Sequence, residues 1–255
     1  MKGLIRVNND QQNFNDTTDL LVYGHEGWLE FPHTHGHAGE KAEVFLKWGH
    51  NMQPDGLCRK EDLKAWVVDP EGRMNELNIE DGSPDYYALS FVPETEWFYQ
   101  VTVLLEAYYS IDIEGKFLRG SRREWPGAVD SICYTHIYRT VVPVGHGLTG
   151  NIRQSGFIME LGPKEWQAWR TGDDLELKVT LNKEVMVGQE VIENRQGPDE
   201  NRSSVAITDG NGIAVVKLTE PGKYMFLVRT SFPDRVTGSH EKREVTGTVT
   251  LLVTK

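Results

Sequence analysis

The sequence predicts an all-β protein built from two β-sandwich domains with little helix. Short segments of alternating apolar and polar residues recur along the 255 residues, and Gly- and Pro-containing turns separate them. Only residues 166–170 hint at a helix. The strand pattern also stops in a glycine-rich stretch, residues 145–163, and then restarts. That interruption is typical of a boundary between two sandwiches.

The first domain follows a polar N-terminal arm, residues 1–24, in which residues 20–23 are the best candidate for a short strand. In the predicted N-terminal sandwich, residues 25–155, apolar side chains at every second position indicate four strands. These strands cover residues 42–48, 63–68, 86–92 and 97–107. Residues 128–142 fit either a strand or a short helix, because periodicity does not distinguish the two there.

The second predicted domain, residues 156–255, repeats the pattern. Its alternating segments lie at residues 175–181, 214–218, 224–228 and 249–253. Between them, the turn sequence Asp-Gly-Asn-Gly at residues 209–212 is typical of a tight β-hairpin, whose central residues adopt positive φ.

Composition excludes several kinds of partner. The net charge is −11, from 27 Lys and Arg against 38 Asp and Glu, which argues against nucleic acid and anionic membranes as ligands. The sequence lacks an apolar run of about 18 residues, so we expect no direct membrane insertion, and it shows no signal-peptide pattern. Cys58 and Cys133 allow one disulfide. The sequence leaves their pairing and the oligomeric state open.

Histidines are concentrated in residues 25–50, where five of the eight in the protein lie among glutamates. Imidazole and carboxylate groups together suit divalent metals such as nickel, copper, zinc or iron. His33, His35 and His37 alternate, and three alternating residues of a strand span roughly 13 Å, so only two fit one ion unless Gly36 bends the chain. A solvated histidine loop without a metal explains this spacing about as well.

The predicted metal site combines this cluster with residues at strand ends. His50 follows the strand at residues 42–48 and should leave the core near a loop. We therefore predict a site made of the following residues: His25, His50, one or two of His33, His35 and His37, and Glu30 or Glu40 as a carboxylate ligand. His136 lies among tyrosines and is a weaker candidate, because a packed aromatic patch explains it equally well.

Two other functions fit the pattern. A cupin-type metalloenzyme would bind its metal through His33, His35 and Glu40 inside one barrel, with His146 as the distant ligand. The closing glycine of that motif falls at Lys47, however. A carbohydrate- or protein-interaction sandwich would instead expose a row of tryptophans, such as Trp28, Trp97 and Trp125.

Several longer motifs carry a resemblance to a known family. These are HEGWLE at residues 25–30, GEKAEVFLKWGH at 39–50, DGLCRKEDLKAWVVDPEGR at 55–73 and TDGNGIAVVKLTEPGKYMF at 208–226. Over roughly residues 25–255 the chain resembles the nickel/cobalt-uptake accessory family, extracytoplasmic proteins catalogued as a domain of unknown function. The C-terminal motif is also typical of prealbumin-like or Ig-like sandwiches.

This resemblance implies a non-enzymatic protein that binds nickel or cobalt, with zinc as a further possibility, near a membrane metal transporter. In this family a histidine and an aromatic residue open the mature chain and a Trp-Gly-His motif follows the next strand. His25 with Trp28, and Trp48 with His50, match those positions. The resemblance also implies an extracytoplasmic location, although 24 polar residues stand where the family has a cleaved leader.

Overall fold

The computed structural model describes residues 16–196 and 203–255. Their regular secondary structure is almost entirely β-strand, so the all-β prediction is confirmed. The first half contains two 3₁₀-helices, η1 (Thr18–Tyr23) and η2 (Lys60–Asp62). Its strands are β1 (Glu26–Glu30), β2 (Ala42–His50), β3 (Gln53–Gly56), β4 (Leu63–Val68), β5 (Met74–Leu77), β6 (Glu80–Ser83), β7 (Tyr86–Phe91), β8 (Trp97–Ile111), β9 (Phe117–Arg119) and β10 (Asp130–Val144). The second half contains β11 (Met159–Pro163), β12 (Asp174–Leu181), β13 (Glu184–Val185), β14 (Glu190–Arg195), β15 (Ser203–Ile207), β16 (Ile213–Lys217), β17 (Gly222–Val236) and β18 (His240–Val253).

The described strands pair into three sheets. A five-stranded sheet has the order β1-β2-β7-β6, with β3 paired to β2. A nine-stranded sheet has the order β15-β14-β17-β18-β10-β8-β4-β5, with β9 paired to β8. A four-stranded sheet contains β11, β12 and β13, with β16 paired to β12. In the nine-stranded sheet, β10 pairs in parallel with β18 and antiparallel with β8, so it joins the two halves of the chain.

The nine-stranded sheet contributes to two hydrophobic cores. One core combines it with the five-stranded sheet, and the other combines it with the four-stranded sheet. Strand β10 contributes side chains to both cores: Tyr134 and Tyr138 belong to the first core, and Ile137 and Val141 belong to the second. Because β10 is buried on both faces, its sequence carries no polar alternation. This explains why periodicity could not separate strand from helix at residues 128–142.

The division of the chain near residue 155 stays a prediction. The first core draws its residues from positions 21–144, and the second draws most of its residues from positions 159–253. Both cores nevertheless share one sheet, which takes β4, β8 and β10 from one side of the division and β14, β17 and β18 from the other. The cores therefore follow the predicted division more closely than the sheets do.

Three local predictions were wrong. Residues 20–23 lie in the 3₁₀-helix η1, which buries Leu21, so this end of the predicted arm packs on the protein; residues 1–15 lie outside the described part. Residues 166–170 form no helix. Residues 209–212 do form a turn, but β15 pairs with β14 and β16 pairs with β12, so the turn joins two sheets and closes no hairpin.

In the described residues, no helix has the length and apolarity needed to cross a membrane.

Candidate metal centre

Two loops carry the histidines that come together. One loop joins β1 to β2, and the other follows β10. A short parallel bridge ties the loops: the amide of Gly36 donates a hydrogen bond to the carbonyl of Pro143 at 2.7 Å, and the amide of Gly145 donates to the carbonyl of Gly36 at 3.0 Å. The histidines on either side of Gly36 thereby meet the histidine that follows Gly145.

These three histidines form a compact cluster. The ring centroids of His35 and His146 lie 4.1 Å apart, those of His35 and His37 lie 5.0 Å apart, and those of His37 and His146 lie 5.6 Å apart. One nitrogen from each ring lies within 4.8 Å of the other two. His146 stands between Gly145 and Gly147, whose φ values of 110° and 63° are left-handed. Glycine adopts that conformation without strain, so the tight loop can present His146 to the cluster.

The electrostatics around His35 favour its neutral form. Partial burial lowers the pKa of His35, and so does repulsion from His146, His37 and His33 when those rings are protonated. Neutral imidazole is the form that binds metal ions. The surroundings of His35 therefore favour the state that coordination requires.

Two residues of the predicted site lie in the same loop but outside this cluster. His33 is exposed, and its ring packs edge-on to Phe31 at 5.6 Å. Glu40 is also exposed, and its amide donates to the carbonyl of His37 at 3.2 Å. The cupin alternative requires His33 and Glu40 to point into one closed barrel. The described strands form three separate sheets instead, and both side chains face solvent.

His25 and His50 form a second group. Their rings lie 5.7 Å apart, and His25 Nε2 lies 2.6 Å from Asp55 Oδ2. His25 also packs 6.1 Å from the ring of Trp48. His25 precedes β1 and His50 ends β2, whereas the histidine loop leaves the opposite end of β1. The five residues of β1 span roughly 13 Å, so the structure divides the predicted single site into two groups.

Glu30 is held by neighbours other than the histidines. This buried carboxylate accepts a hydrogen bond from Trp28 Nε1 at 2.9 Å and forms ion pairs with Lys223 and, at 3.2 Å, with Lys47. Burial alone would raise the pKa of Glu30, but the hydrogen bonds from Lys223 and Trp28 and the two ammonium charges lower it. The carboxylate is therefore ionised and committed to a salt-bridge network.

His136 is an interior side chain. It is fully buried, and its Nδ1 lies 3.2 Å from the hydroxyl of Tyr138. Its ring lies 6.5 Å from that of Trp48, and its Nε2 has no hydrogen-bond partner among the described residues. Burial, and to a lesser extent the positive charge of Arg229, hold the pKa of His136 well below its usual value. His136 is therefore neutral and lies outside the three-histidine cluster.

The two cysteines are buried free thiols, so they form no disulfide with each other. Burial raises the pKa of both thiols, that of Cys133 to about 11. A thiol that stays protonated is a poor metal ligand.

The exposed tryptophan row that the interaction alternative predicts is incomplete, because Trp28 is fully buried while Trp97 and Trp125 are 39% and 41% exposed.

From the sequence, His146 is predicted only as the distant ligand of the cupin alternative. The signal that could have identified it is the Gly-His-Gly sequence at residues 145–147, placed directly after a long buried strand. Such a position presents a polar side chain from a rigid scaffold.

The sequence matches a family model over residues 22–231, and that family is described as a domain of unknown function, DUF4198. The chain belongs to this family. The match includes β1 to β16 and therefore both loops of the histidine cluster. No curated protein sequence matches the chain.

Several solved structures are distantly similar to this DUF4198 chain. A DUF4785 family protein from Legionella pneumophila has 8% identity and a TM-score of 0.29, with coverage of 79% of this chain and 51% of that chain. The Escherichia coli adhesin FdeC has 16% identity and a TM-score of 0.24, with coverage of 89% and 63%. A Salmonella alpha-2-macroglobulin has 10% identity and a TM-score of 0.26, with coverage of 89% and 15%. The chain thus spans about half the length of the Legionella structure.

Proposed function

We propose that this protein binds a divalent transition-metal ion reversibly through His35, His37 and His146 and catalyses no reaction. The observation that supports the proposal is the convergence of three imidazole nitrogens within 4.8 Å of one another. Around an ion about 2.1 Å from each nitrogen, neighbouring ligand atoms lie about 3.0–3.4 Å apart. Small rotations of the two exposed rings, His37 and His146, would bring the nitrogens to that spacing.

The donor set narrows the choice of metal. Imidazole nitrogens suit nickel, cobalt, copper and zinc, whereas calcium and magnesium prefer oxygen ligands. The resemblance of the sequence to nickel/cobalt-uptake accessory proteins makes nickel and cobalt the first ions to test. Three protein ligands also leave coordination positions open, which suits an ion that must be released again.

The same resemblance supports a location outside the cytoplasm, beside a membrane metal transporter. Fractionation of cells that express the full-length protein from its own gene would test it. A protein recovered only from the cytoplasm would rule that location out.

Calorimetric titration of the metal-stripped protein with nickel, cobalt and zinc chlorides tests the metal site. A His35→Ala/His37→Ala double variant should lose at least about 100-fold in affinity for the preferred ion, because it removes two of three ligands. A His25→Ala/His50→Ala variant is the matched control, since it also removes two imidazoles that lie close together. It should bind within about threefold of the wild type. Equal losses in the two variants, or no binding by the wild type, would reject the site.

A further inference from the structure

A cavity of about 230 Å³ opens beside the histidine cluster. It lies between β1, β10 and β18 and the two connecting segments that carry His146 and Trp169. His35 and His146 line this cavity and also belong to the three-histidine cluster. An ion held by the cluster would therefore turn open coordination positions toward the cavity.

The cavity wall is mostly apolar. Leu29, Val141, Leu148, Trp166 and Trp169 are among the residues that line it. Walls of this composition bind organic molecules, because they remove apolar surface from water and stack against flat rings. Hydrated metal ions alone would gain little from such a surface.

Two polar groups in the wall can recognise an anionic acceptor. Trp169 is 5% exposed, and its Nε1–H has no acceptor among the described residues. Lys223 pairs with Glu30, but Glu30 also pairs with Lys47, so two ammonium groups share one carboxylate. Lys223 and Glu30 both line the cavity, whereas Lys47 does not. The wall therefore offers one buried N–H donor and one ammonium group, and both can donate hydrogen bonds to a carboxylate.

We propose that this cavity holds a small organic chelator that ligates the same ion, so that the protein takes up its metal as a complex with an apolar, carboxylate-bearing ligand. This inference rests on the proposed metal site. The histidines would supply part of the coordination shell, the chelator would fill the open positions, and its apolar body would occupy the cavity. Trp169 and Lys223 would contact its carboxylate.

Two chelators with the same kinds of donor atom test the proposal. Quinoline-2-carboxylate and glycine each offer one nitrogen and one carboxylate oxygen, but only the first has an apolar body. Calorimetry would measure the binding of each chelator to the nickel-loaded and the nickel-free full chain. Nickel-loaded protein should bind quinoline-2-carboxylate at least about tenfold more tightly than nickel-free protein does.

Two variants locate the binding in the cavity. Leu148→Trp fills the space and should weaken quinoline-2-carboxylate binding to the nickel-loaded protein at least about tenfold, with glycine binding unchanged. Trp169→Phe removes the N–H donor but keeps an aromatic ring. It should weaken the binding of quinoline-2-carboxylate to the nickel-loaded protein about threefold to tenfold. Both variants should bind nickel alone as the wild type does, and thermal unfolding would verify that they fold.

The outcomes separate the two proposals. If the wild type binds nickel but neither variant changes quinoline-2-carboxylate binding, the chelate proposal fails and the metal site stands. Equal binding of quinoline-2-carboxylate with and without nickel would also overturn the chelate proposal, because the ion would then play no part. If the wild type binds no metal, both proposals fail.

Discussion

The two histidine groups of this protein differ in what their rings contact. In the cluster of His35, His37 and His146, imidazoles face one another beside a cavity, and no carboxylate from the described part of the chain belongs to the group. In the pair of His25 and His50, a carboxylate contacts His25 at 2.6 Å and an indole packs alongside. A high density of histidines in a sequence therefore does not by itself bring their rings into one group. The groups around each ring decide whether its nitrogens are available.

The backbone segments beside the two groups tolerate substitution differently, and Gly49→Ala in β2 should lower stability the most. A Cβ at Gly49, next to His50, would lie 2.1 Å from the carbonyl oxygen of Gln53, and a backbone atom cannot move aside cheaply. We expect the free energy of unfolding to fall by about 2–4 kcal/mol. Urea denaturation would measure this loss.

The matched control for that prediction is Gly36→Ala in the loop between β1 and β2. A Cβ at Gly36 meets no atom closer than 3.8 Å. We expect a change of less than about 0.5 kcal/mol in the free energy of unfolding. Equally small effects of the two substitutions would show that the fold does not require the close approach of β2 and β3 at Gly49.

Breaking the backbone bridge between the two loops of the cluster should have the next largest effect, and this effect is on nickel affinity. Gly36→Pro removes the amide that donates to Pro143 at 2.7 Å, whereas Gly36→Ala keeps it. Because this hydrogen bond positions His35 and His37 against His146, nickel affinity should fall about 10- to 100-fold in the proline variant. Calorimetric titration of both variants would measure it, and equal affinities would show that the cluster does not depend on the bridge.

His136 represents a third environment, and it should make stability depend on pH. Burial lowers the pKa of His136 in the folded protein below its usual value of 6.5. Between those two values the unfolded chain binds more protons than the folded protein does. The contribution of neutral His136 to the free energy of unfolding is therefore fully present above pH 6.5, and it is lost as the pH falls toward the folded-state pKa.

A His136→Leu variant isolates this effect. Between pH 6.5 and 5.5, the wild type should lose up to about 1.4 kcal/mol more stability per pH unit than the variant. Urea denaturation at several pH values would measure the difference. Parallel pH profiles for the two proteins would mean that His136 binds its proton in the folded state as easily as in the unfolded chain.

Apart from the Gly36→Ala control, loss of the contact between His25 and Asp55 should change stability the least. The side chain of Asp55 is 44% exposed, so solvent screens its interaction with the imidazole. We expect Asp55→Asn to lower the free energy of unfolding by less than about 1 kcal/mol and to leave nickel affinity unchanged. A large fall in nickel affinity would instead place the metal at the His25–His50 pair.

The sequence predicted those strands in which buried and more exposed side chains alternate along the strand itself. Leu63–Val68 was predicted at its observed bounds, and the strand at residues 42–48 extends by two residues, because each alternates buried and more exposed positions. The same reasoning failed at Asp130–Val144, since a strand buried on both faces leaves no alternation to read. It also failed at the turn over residues 209–212, where both flanking strands pair with partners distant in the chain.

The sequence by itself determined the all-β class, the positions of eight of the eighteen described strands and the concentration of histidines in residues 25–50. Only the tertiary structure decided which of those histidines meet. His37 and His146 are far apart in the chain, and their proximity depends on the two backbone hydrogen bonds that connect Gly36 to the end of β10. Such pairing is set by the packing of whole sheets, and residue spacing along one strand carries no record of it.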